Sequence, residues 1–414
     1  MMEKLQPVRG TKDLFAEDYI RHEYIISMAK KIADLYGYQG ISLPIFEFSN
    51  VFKRSLGESS DVVGKEMYSF FDKGNEEITL RPEFTASICR AYISHGMKQL
   101  LPLKLFTCGP LFRYERPQKG RQRQFHQVDY EYLGLGSPAI DAEMIAMAAA
   151  FLEKLNILQH TSLELNSLGC SQTRINYQKA LVEYLKDFEN DLSEDSKIRL
   201  YKNPLRVLDS KDETDKKIVV NSPKIKDYFT NEAADFFNQL QEYLKLMGIN
   251  FNINSNMVRG LDYYNHTAFE FITTELGAQG TVLGGGRYNG LIKLLGGDET
   301  EGIGFAAGVE RLSLLCQLPA QQLRSIAIIP LSSTQQKFAI TLANDLRKSD
   351  IAIHLDLDTK FDKALKNAIK TNCKLAIFIG EEELKSNLVK LKNLDTRVEE
   401  QIRIDHLLER VKKI

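Results

Sequence analysis

The sequence predicts an α+β fold built on an antiparallel sheet, interrupted by a mostly helical insertion and followed by a separate α/β domain. Three observations carry this. Short strand-like segments, separated by turn signals or short helices, run through residues 67–133 and resume after residue 257, the pattern of an antiparallel sheet. Between them, residues 169–256 read as long polar helices with few strand signals. Beyond Leu318-Pro319, strands and helices alternate across short loops, which marks a unit of its own. At 414 residues the chain exceeds the roughly 250–300 at which a single core stops growing, so more than one domain is required.

Element by element, residues 17–36 place Ile20, Tyr24, Met28, Ile32 and Leu35 at three- and four-residue steps, an amphipathic helix stopped by Gly37. Residues 38–47 then read as an extended strand carrying Pro44 near its end, where the missing backbone donor is tolerated. Strands follow at 67–72, 77–81, 103–114 and 125–133, with a helix at 139–155 packed on the sheet. The insertion shows helical stretches at 177–190 and 232–247 and a Lys/Asp/Glu-rich run at 210–217. The sheet resumes at 257–273 and 278–288, and a small-residue stretch at 302–308 runs into a helix from Val309. The last unit reads strand 326–330, helix 334–348, strand 351–357, helix 361–371, strands 375–379 and 388–393, and helix 401–412. The domain boundaries predicted are 1–168 and 257–320 for the sheet domain, 169–256 for the insertion and 324–414 for the carboxyl-terminal unit.

Composition excludes several classes. With 43% hydrophobic and 26% charged residues the chain is neither disordered nor collagen-like. Five scattered cysteines, none in a C-x-x-C pair, argue against a disulfide framework or a zinc site. No apolar run is long enough for a signal peptide or a membrane span, so the cytoplasm is the expected location. The 54 Lys+Arg against 55 Asp+Glu leave a charge of −1, so any surface for nucleic acid must be local.

Such a surface is present. Residues 109–127 hold Arg113, Arg116, Lys119, Arg121 and Arg123 against the single acid Glu115. A strand, a Pro/Gly loop and a return strand would put guanidinium forks on a hairpin, where they bind phosphate oxygens bidentately, and Phe125 would be free to stack on a base. A second cluster, Leu80-Arg81-Pro82-Glu83-Phe84-Thr85, offers a carboxylate and a hydroxyl to an ammonium group. Its residues alone fit a helix capped by Thr85, or an Arg81–Glu83 ion pair, equally well. In Arg259-Gly260-Leu261-Asp262-Tyr263-Tyr264 adjacent tyrosines on a strand would face opposite sides, so one at most would line a pocket. The Gly284-Gly285-Gly286-Arg287-Tyr288 string allows something to approach the backbone closely but is no P-loop. Gly302, Gly304 and Gly308 lead into Glu310-Arg311, a spacing that is not the dinucleotide fingerprint; there a flat group would lie against the strand while Arg311 met a phosphate or a ring face.

In this order, the helix-strand ending in Pro44, the Phe112-Arg113-x-Glu115 hairpin and the Gly304–Arg311 stretch resemble the three signatures of class II aminoacyl-tRNA synthetases. Within that class the chain resembles the histidyl-tRNA synthetase family. The marks are Leu80-Arg81-Pro82-Glu83-x-Thr85, Glu115-Arg116-Pro117-Gln118-x-Gly120-Arg121-x-Arg123, the run from Asn203 through Arg206 and Asp209 to Lys211, and the Arg259–Tyr264 and Gly284–Tyr288 strings. The resemblance runs from Val8-Arg9-Gly10-Thr11 to the carboxyl-terminal unit. Phe84 stands where the family usually has Gly, and Asn289 where it usually has Asp.

The resemblance implies ATP-dependent activation of L-histidine to an adenylate, then transfer of the acyl group to the 3′ end of the histidine tRNA. It implies a class II catalytic domain carrying the insertion, and a carboxyl-terminal domain that binds the anticodon. Arg113 and Arg259 would be catalytic, holding the α-phosphate from two sides. Arg121, Arg123 and Arg311 would hold the outer phosphates and the adenine face, with Phe125 also at the ATP. Glu83, Thr85 and Gln127 would hold the ammonium and carboxylate of histidine and Glu131 and Tyr264 would reach the imidazole, with Phe84 and Tyr263 also binding histidine, and Arg113 and Arg259 would touch the amino acid as well as ATP. Arg116 and Gln118 would read the acceptor end of the tRNA. Mg²⁺ would accompany ATP, with no tightly held metal ligated by protein, and the implied assembly is a homodimer with residues 17–47 in its interface. A non-catalytic synthetase-like regulatory subunit of histidine biosynthesis is the alternative; it usually lacks the carboxyl-terminal domain and an intact Arg259–Tyr264 string, and both are present here.

Overall fold

The computed structural model describes residues 4–57, 60, 62–277, 280–319, 324–357 and 360–412. It divides into two units, Met1–Leu318 and Pro319–Ile414. The first two residues of the strand expected at 278–288 and the junction at 320–323 lie outside the described residues.

In the first unit, helix α1 (Ala16–Leu35) ends where Gly37 takes a left-handed φ of 74°, as a glycine past a helix end allows. The single strand expected at 38–47 is two short ones. β1 (Gln39–Gly40) and β2 (Phe46–Phe48) belong to different sheets, and the chain turns between them around Pro44. Helix α2 (Ser49–Leu56) leads to β3 (Tyr68–Phe71) and β4 (Glu77–Leu80), which join β2 in a three-stranded sheet. Helix α3 (Thr85–Ser94) precedes the long hairpin of β5 (Leu103–Phe112) and β6 (Gln124–Gly134), and α4 (Pro138–Lys154) is capped by Ser137. Strand β7 (Ser162–Ser167) opens into four helices, α5 (Ser171–Lys186), α6 (Glu194–Lys202), α7 (Glu213–Val220) and α8 (Asn231–Leu246). The chain returns through β8 (Asn252–Ile253), β9 (Asn265–Ile272), β10 (Thr281–Arg287), the short α9 (Leu291–Leu294), β11 (Glu301–Gly308) and α10 (Val309–Leu315).

The main sheet has eight strands in the order β1-β5-β6-β11-β10-β9-β7-β8. Its interior pairs are antiparallel, and the two outermost pairs, β1 with β5 and β7 with β8, are parallel. Alternation along β6 sets the function of each face. Val128, Tyr130 and Tyr132 point into a core with Ile25 and Ile32 of α1 and Met144 and Phe151 of α4. Each such side chain contributes roughly 1.5–3 kcal/mol on burial. Gln127, Asp129 and Glu131 therefore take the opposite face, and a one-residue slip of β6 would drive all three into the helical core.

The second unit holds β12 (Ile326–Pro330), α11 (Gln336–Arg347), β13 (Ile353–Leu355), α12 (Phe361–Lys370), β14 (Leu375–Ile379), α13 (Glu381–Lys385), β15 (Leu388–Asn393), β16 (Glu399–Arg403) and α14 (Ile404–Lys412). Its sheet runs β13-β12-β14-β15-β16, parallel through the first three strands and antiparallel at the end. The helix expected from residue 401 begins at Ile404. Residues 399–403 instead form an edge strand whose single apolar residue, Ile402, leaves too little alternation to read. Among the described residues no helix is long and apolar enough to cross a membrane.

Candidate active site

The face of the main sheet that carries Gln127, Asp129 and Glu131 opens into a cavity of about 980 Å³. Room for it is made by small residues on the neighbouring strand: Glu131 lies opposite Gly304, Asp129 opposite Ala306 and Gln127 opposite Gly308. A Cβ on Gly304 would fall 1.7 Å from the Glu131 carboxylate, so this glycine is spent on a protein side chain.

One part of the cavity is acidic. Glu83 accepts a bond from the Ala86 N–H at 2.8 Å, and Tyr263 donates to its other oxygen at 3.4 Å. Glu83 thus caps α3, rather than Thr85, which is the first helical residue; and Arg81 makes no pair with Glu83, donating instead to the carbonyls of Leu43, Pro44 and Pro110. Tyr288 donates to Glu131, and Thr85 is hydrogen-bonded to it. Burial raises the carboxyls of Glu83, Asp129 and Glu131, with Glu131 pushed up to about 8. Asp129 Oδ1 is buried without a partner while its side chain lines the cavity.

Another part is cationic. Arg113 donates through Nε to the Pro82 carbonyl at 2.9 Å and lies over Phe125 at 5.4 Å. Arg121 pairs with Glu115, and that salt bridge holds the hairpin's guanidinium in place. Arg259 pairs with Glu270 and lies 5.3 Å from the Tyr264 ring. Arg311, on α10, donates to the Thr281 carbonyl at 2.6 Å.

The cavity thus brings together Glu83, Thr85, Arg113, Arg121, Phe125, Gln127, Glu131, Arg259, Tyr263, Tyr264 and Arg311. Four of the expected residues do not line it. Phe84 is fully buried, with the Arg81 guanidinium 4.6 Å from its ring, so the departure from glycine is absorbed by packing. Arg123 stacks on Tyr114 at 3.8 Å and its Nε donates to the Glu115 carbonyl. Arg116 and Gln118 are exposed at the hairpin tip, where Gln118 and Arg121 form an isolated bridge.

Two readings of the motifs are corrected. Residues 257–264 are not a strand, so Tyr263 and Tyr264 are released from strand alternation and both reach the cavity. The close approach allowed by the glycine string is made by the protein itself: a Cβ on Gly284 would meet Arg259 Nη1 at 2.6 Å, and one on Gly286 would meet Tyr264 at 3.0 Å. Asn289 accepts bonds from the Arg287 guanidinium and the Gly302 N–H.

Other cavity residues escaped the sequence reading. Glu270 had no signal, being a lone acid in a strand. Asp129 sits midway between Gln127 and Glu131, and strand alternation would have found it. Arg199, Arg206, Asp209 and Lys211 of the helical segment also line the cavity. The last three lie in the 203–211 string, whose pattern marked it without giving it a role.

An antiparallel sheet of this order, with a basic β5–β6 hairpin and a glycine-lined strand entering an arginine-bearing helix, defines the catalytic unit of a class II aminoacyl-tRNA synthetase. Comparison with known proteins narrows this. The family model described as histidyl-tRNA synthetase matches residues 10–312, and the one described as anticodon binding domain matches 325–414. A histidine–tRNA ligase of Rickettsia bellii is 50% identical over all 414 residues, covering 100% of both chains. The crystal structure of apo histidyl-tRNA synthetase from S. aureus superposes with a TM-score of 0.83 at 34% identity, covering 99% of this chain and 100% of that one. The enzyme from Nostoc sp. PCC 7120, at 17% identity and a TM-score of 0.72 over 99% of each chain, shares the fold. The chain belongs to the histidyl-tRNA synthetase family.

Proposed function

We propose that this enzyme activates L-histidine with ATP and transfers it to the 3′ end of the histidine tRNA, using the residues gathered in the cavity. The observation that carries this is the meeting of buried carboxylates and fixed guanidinium groups in one cavity, a place for an ammonium-bearing amino acid beside a polyphosphate. Glu83, Thr85 and Gln127 hold the amino-acid end, and Glu131 and Tyr264 hold the imidazole, whose neutral ring needs one donor and one acceptor. Tyr263 supports Glu83 through the bond described above.

The histidine carboxylate then attacks the α-phosphorus of ATP in line, forming the acyl–phosphate bond as the bond to pyrophosphate breaks. Negative charge grows on the phosphoryl oxygens, and Arg113 and Arg259 meet it without reorganising, because the Pro82 carbonyl and Glu270 already fix their directions. Arg121 and Arg311 take the outer phosphates and the adenine face, with Phe125 beside them; Arg123 acts from behind by stacking on Tyr114. Mg²⁺ would enter with ATP as part of the substrate and would neutralise charge on its outer phosphates. In the second step the terminal ribose hydroxyl of the tRNA attacks the acyl carbon and AMP leaves. Arg116 and Gln118 at the exposed hairpin tip face that end, and the carboxyl-terminal unit takes the anticodon.

The homodimer is supported by the three-stranded sheet, where Phe48 and Phe70 flank Ile78 on one face and are 59% and 47% exposed. A cytoplasmic location belongs to the same proposal, and five free thiols together with a role in translation support it. Histidine-dependent ATP–pyrophosphate exchange tests the reading: Arg113→Gln and Arg259→Gln should each lower kcat by about 10²-fold or more, and full activity in either would remove that residue from the chemistry.

A further inference from the structure

The loop 257–264 belongs to no helix or strand, so its backbone carbonyls need partners from elsewhere. Two arginines of the helical segment supply them. Arg206, in the turn Pro204–Val207, donates to the Arg259 carbonyl at 3.3 Å and to the Gly260 carbonyl, and its Nε meets the Asp262 carboxylate at 3.2 Å. Arg174, on α5, donates to the Tyr264 carbonyl at 3.0 Å and to the Asp262 carbonyl at 3.4 Å. The two therefore divide the loop: Arg206 holds the half that aims Arg259, and Arg174 holds the half that places Tyr264. The turn that carries Arg206 is anchored by Leu205 and Val207, which are buried in the same core as Tyr263 and Tyr264. A planar, permanently charged fork with five donors is suited to serving two carbonyls and a carboxylate at once.

We propose that the helical segment is part of the activation machinery, with Arg206 and Arg174 as positioning residues that set the Arg259–Tyr264 loop for histidine adenylation before any tRNA is bound. The same arrangement couples the segment to the substrates, because whatever moves α5 or the 203–211 string moves the loop. This rests on the roles assigned to Arg259 and Tyr264 above.

The test is steady-state histidine-dependent ATP–pyrophosphate exchange on the full chain without tRNA, for Arg206→Gln, Arg206→Lys, Arg174→Gln and Arg259→Gln, each with its thermal midpoint. Arg206→Gln should lower kcat about tenfold or more with the histidine KM within about twofold, and Arg206→Lys should recover part of the loss. Arg174→Gln should raise the histidine KM about tenfold while kcat changes less than about threefold. Such a split between two variants of similar thermal midpoint is not what simple loss of structure produces. Equal changes in both parameters, tracking the midpoint, or wild-type kinetics in both variants would overturn the proposal. If Arg259→Gln kept full activity, the assigned chemistry would fail instead, a result separable from the clamp because the Arg174 arm is read on histidine alone.

Discussion

Glu270 and Arg259 form an ion pair across the cavity, and the backbone of Gly284 lies against the arginine. The pair is built from a loop and a strand, with Thr281 donating to the second Glu270 oxygen at 2.8 Å. Register places Gly284 directly opposite Glu270, so the absence of a side chain there is what lets the guanidinium reach its partner. Gly284→Ala inserts a methyl group within 2.6–3.0 Å of three guanidinium atoms and should displace Arg259. Pyrophosphate exchange should fall about 10²-fold in kcat, with ATP KM little changed, and the protein should remain folded. An unaffected kcat would mean that Arg259 does not need this position.

This relationship also shows what the sequence could and could not convey. The basic hairpin, the Arg259–Tyr264 string and the glycines were legible because chemistry-bearing residues cluster along the chain. Gln127 and Glu131 were reached through the family resemblance, whereas strand spacing in the sequence located β6. That spacing failed at Tyr263 and Tyr264, because it was extended over residues that form a loop held by side-chain bonds from Arg174 and Arg206. Those partners lie over 50 residues away in sequence, and the Pro82 carbonyl that holds Arg113 lies 31 residues away. Ion pairing was likewise hidden: Glu115 and Arg121 could be seen as neighbours, whereas Glu270 could not be matched to Arg259 without the sheet.

The Gly284–Tyr288 string also carries a structural arginine, Arg287. It and Asp141 are both fully buried and joined by a salt bridge, with Thr267 also donating to Asp141. Removing either charge takes away the buried counter-ion, leaving Asp141 with Thr267 alone or Arg287 with only Glu301 and Asn289 at 3.3 Å, at a cost of about 3–5 kcal/mol. Asp141→Ala and Arg287→Met should each lower stability by that amount in urea denaturation, while replacing both with apolar residues should restore part of it. Since neither residue lines the cavity, kcat of the protein that remains folded should change little.

Asp129 is the acid that the pocket leaves unsatisfied. Its buried Oδ1 would accept a hydrogen bond from bound histidine, and burial together with Glu131 and Glu83 raises its carboxyl well above the usual carboxylate range. An arriving ammonium favours the ionised form and repays the burial. Asp129→Asn should raise the histidine KM by about tenfold with the ATP KM unchanged. Equal KM values for both substrates in variant and wild type would make the residue a bystander.

Glu131 allows the cost of the pocket to be read as stability. Its carboxyl, ordinarily near 4.5, is pushed up to about 8, chiefly by burial, with Thr85 and Tyr288 opposing the shift and Glu83 adding to it. Between those two values the folded protein holds a proton that the unfolded chain has lost, so stability falls as pH rises from about 4.5 to about 8 and levels off above. Glu131→Gln removes this term. Asp129 and Glu83 shift in the same direction, so the variant should flatten the slope without abolishing it. Denaturation at pH 5.5 and 8.5 should show the variant gaining on wild type by on the order of 1–3 kcal/mol at the higher pH. The same substitution should raise the histidine KM more than the ATP KM, because on the proposed role the imidazole exchanges a carboxylate partner for a weaker amide while the phosphate side is untouched. A variant that gained nothing on wild type between pH 5.5 and 8.5 would place the ionisation elsewhere, and equal changes in the two KM values would take Glu131 away from the imidazole.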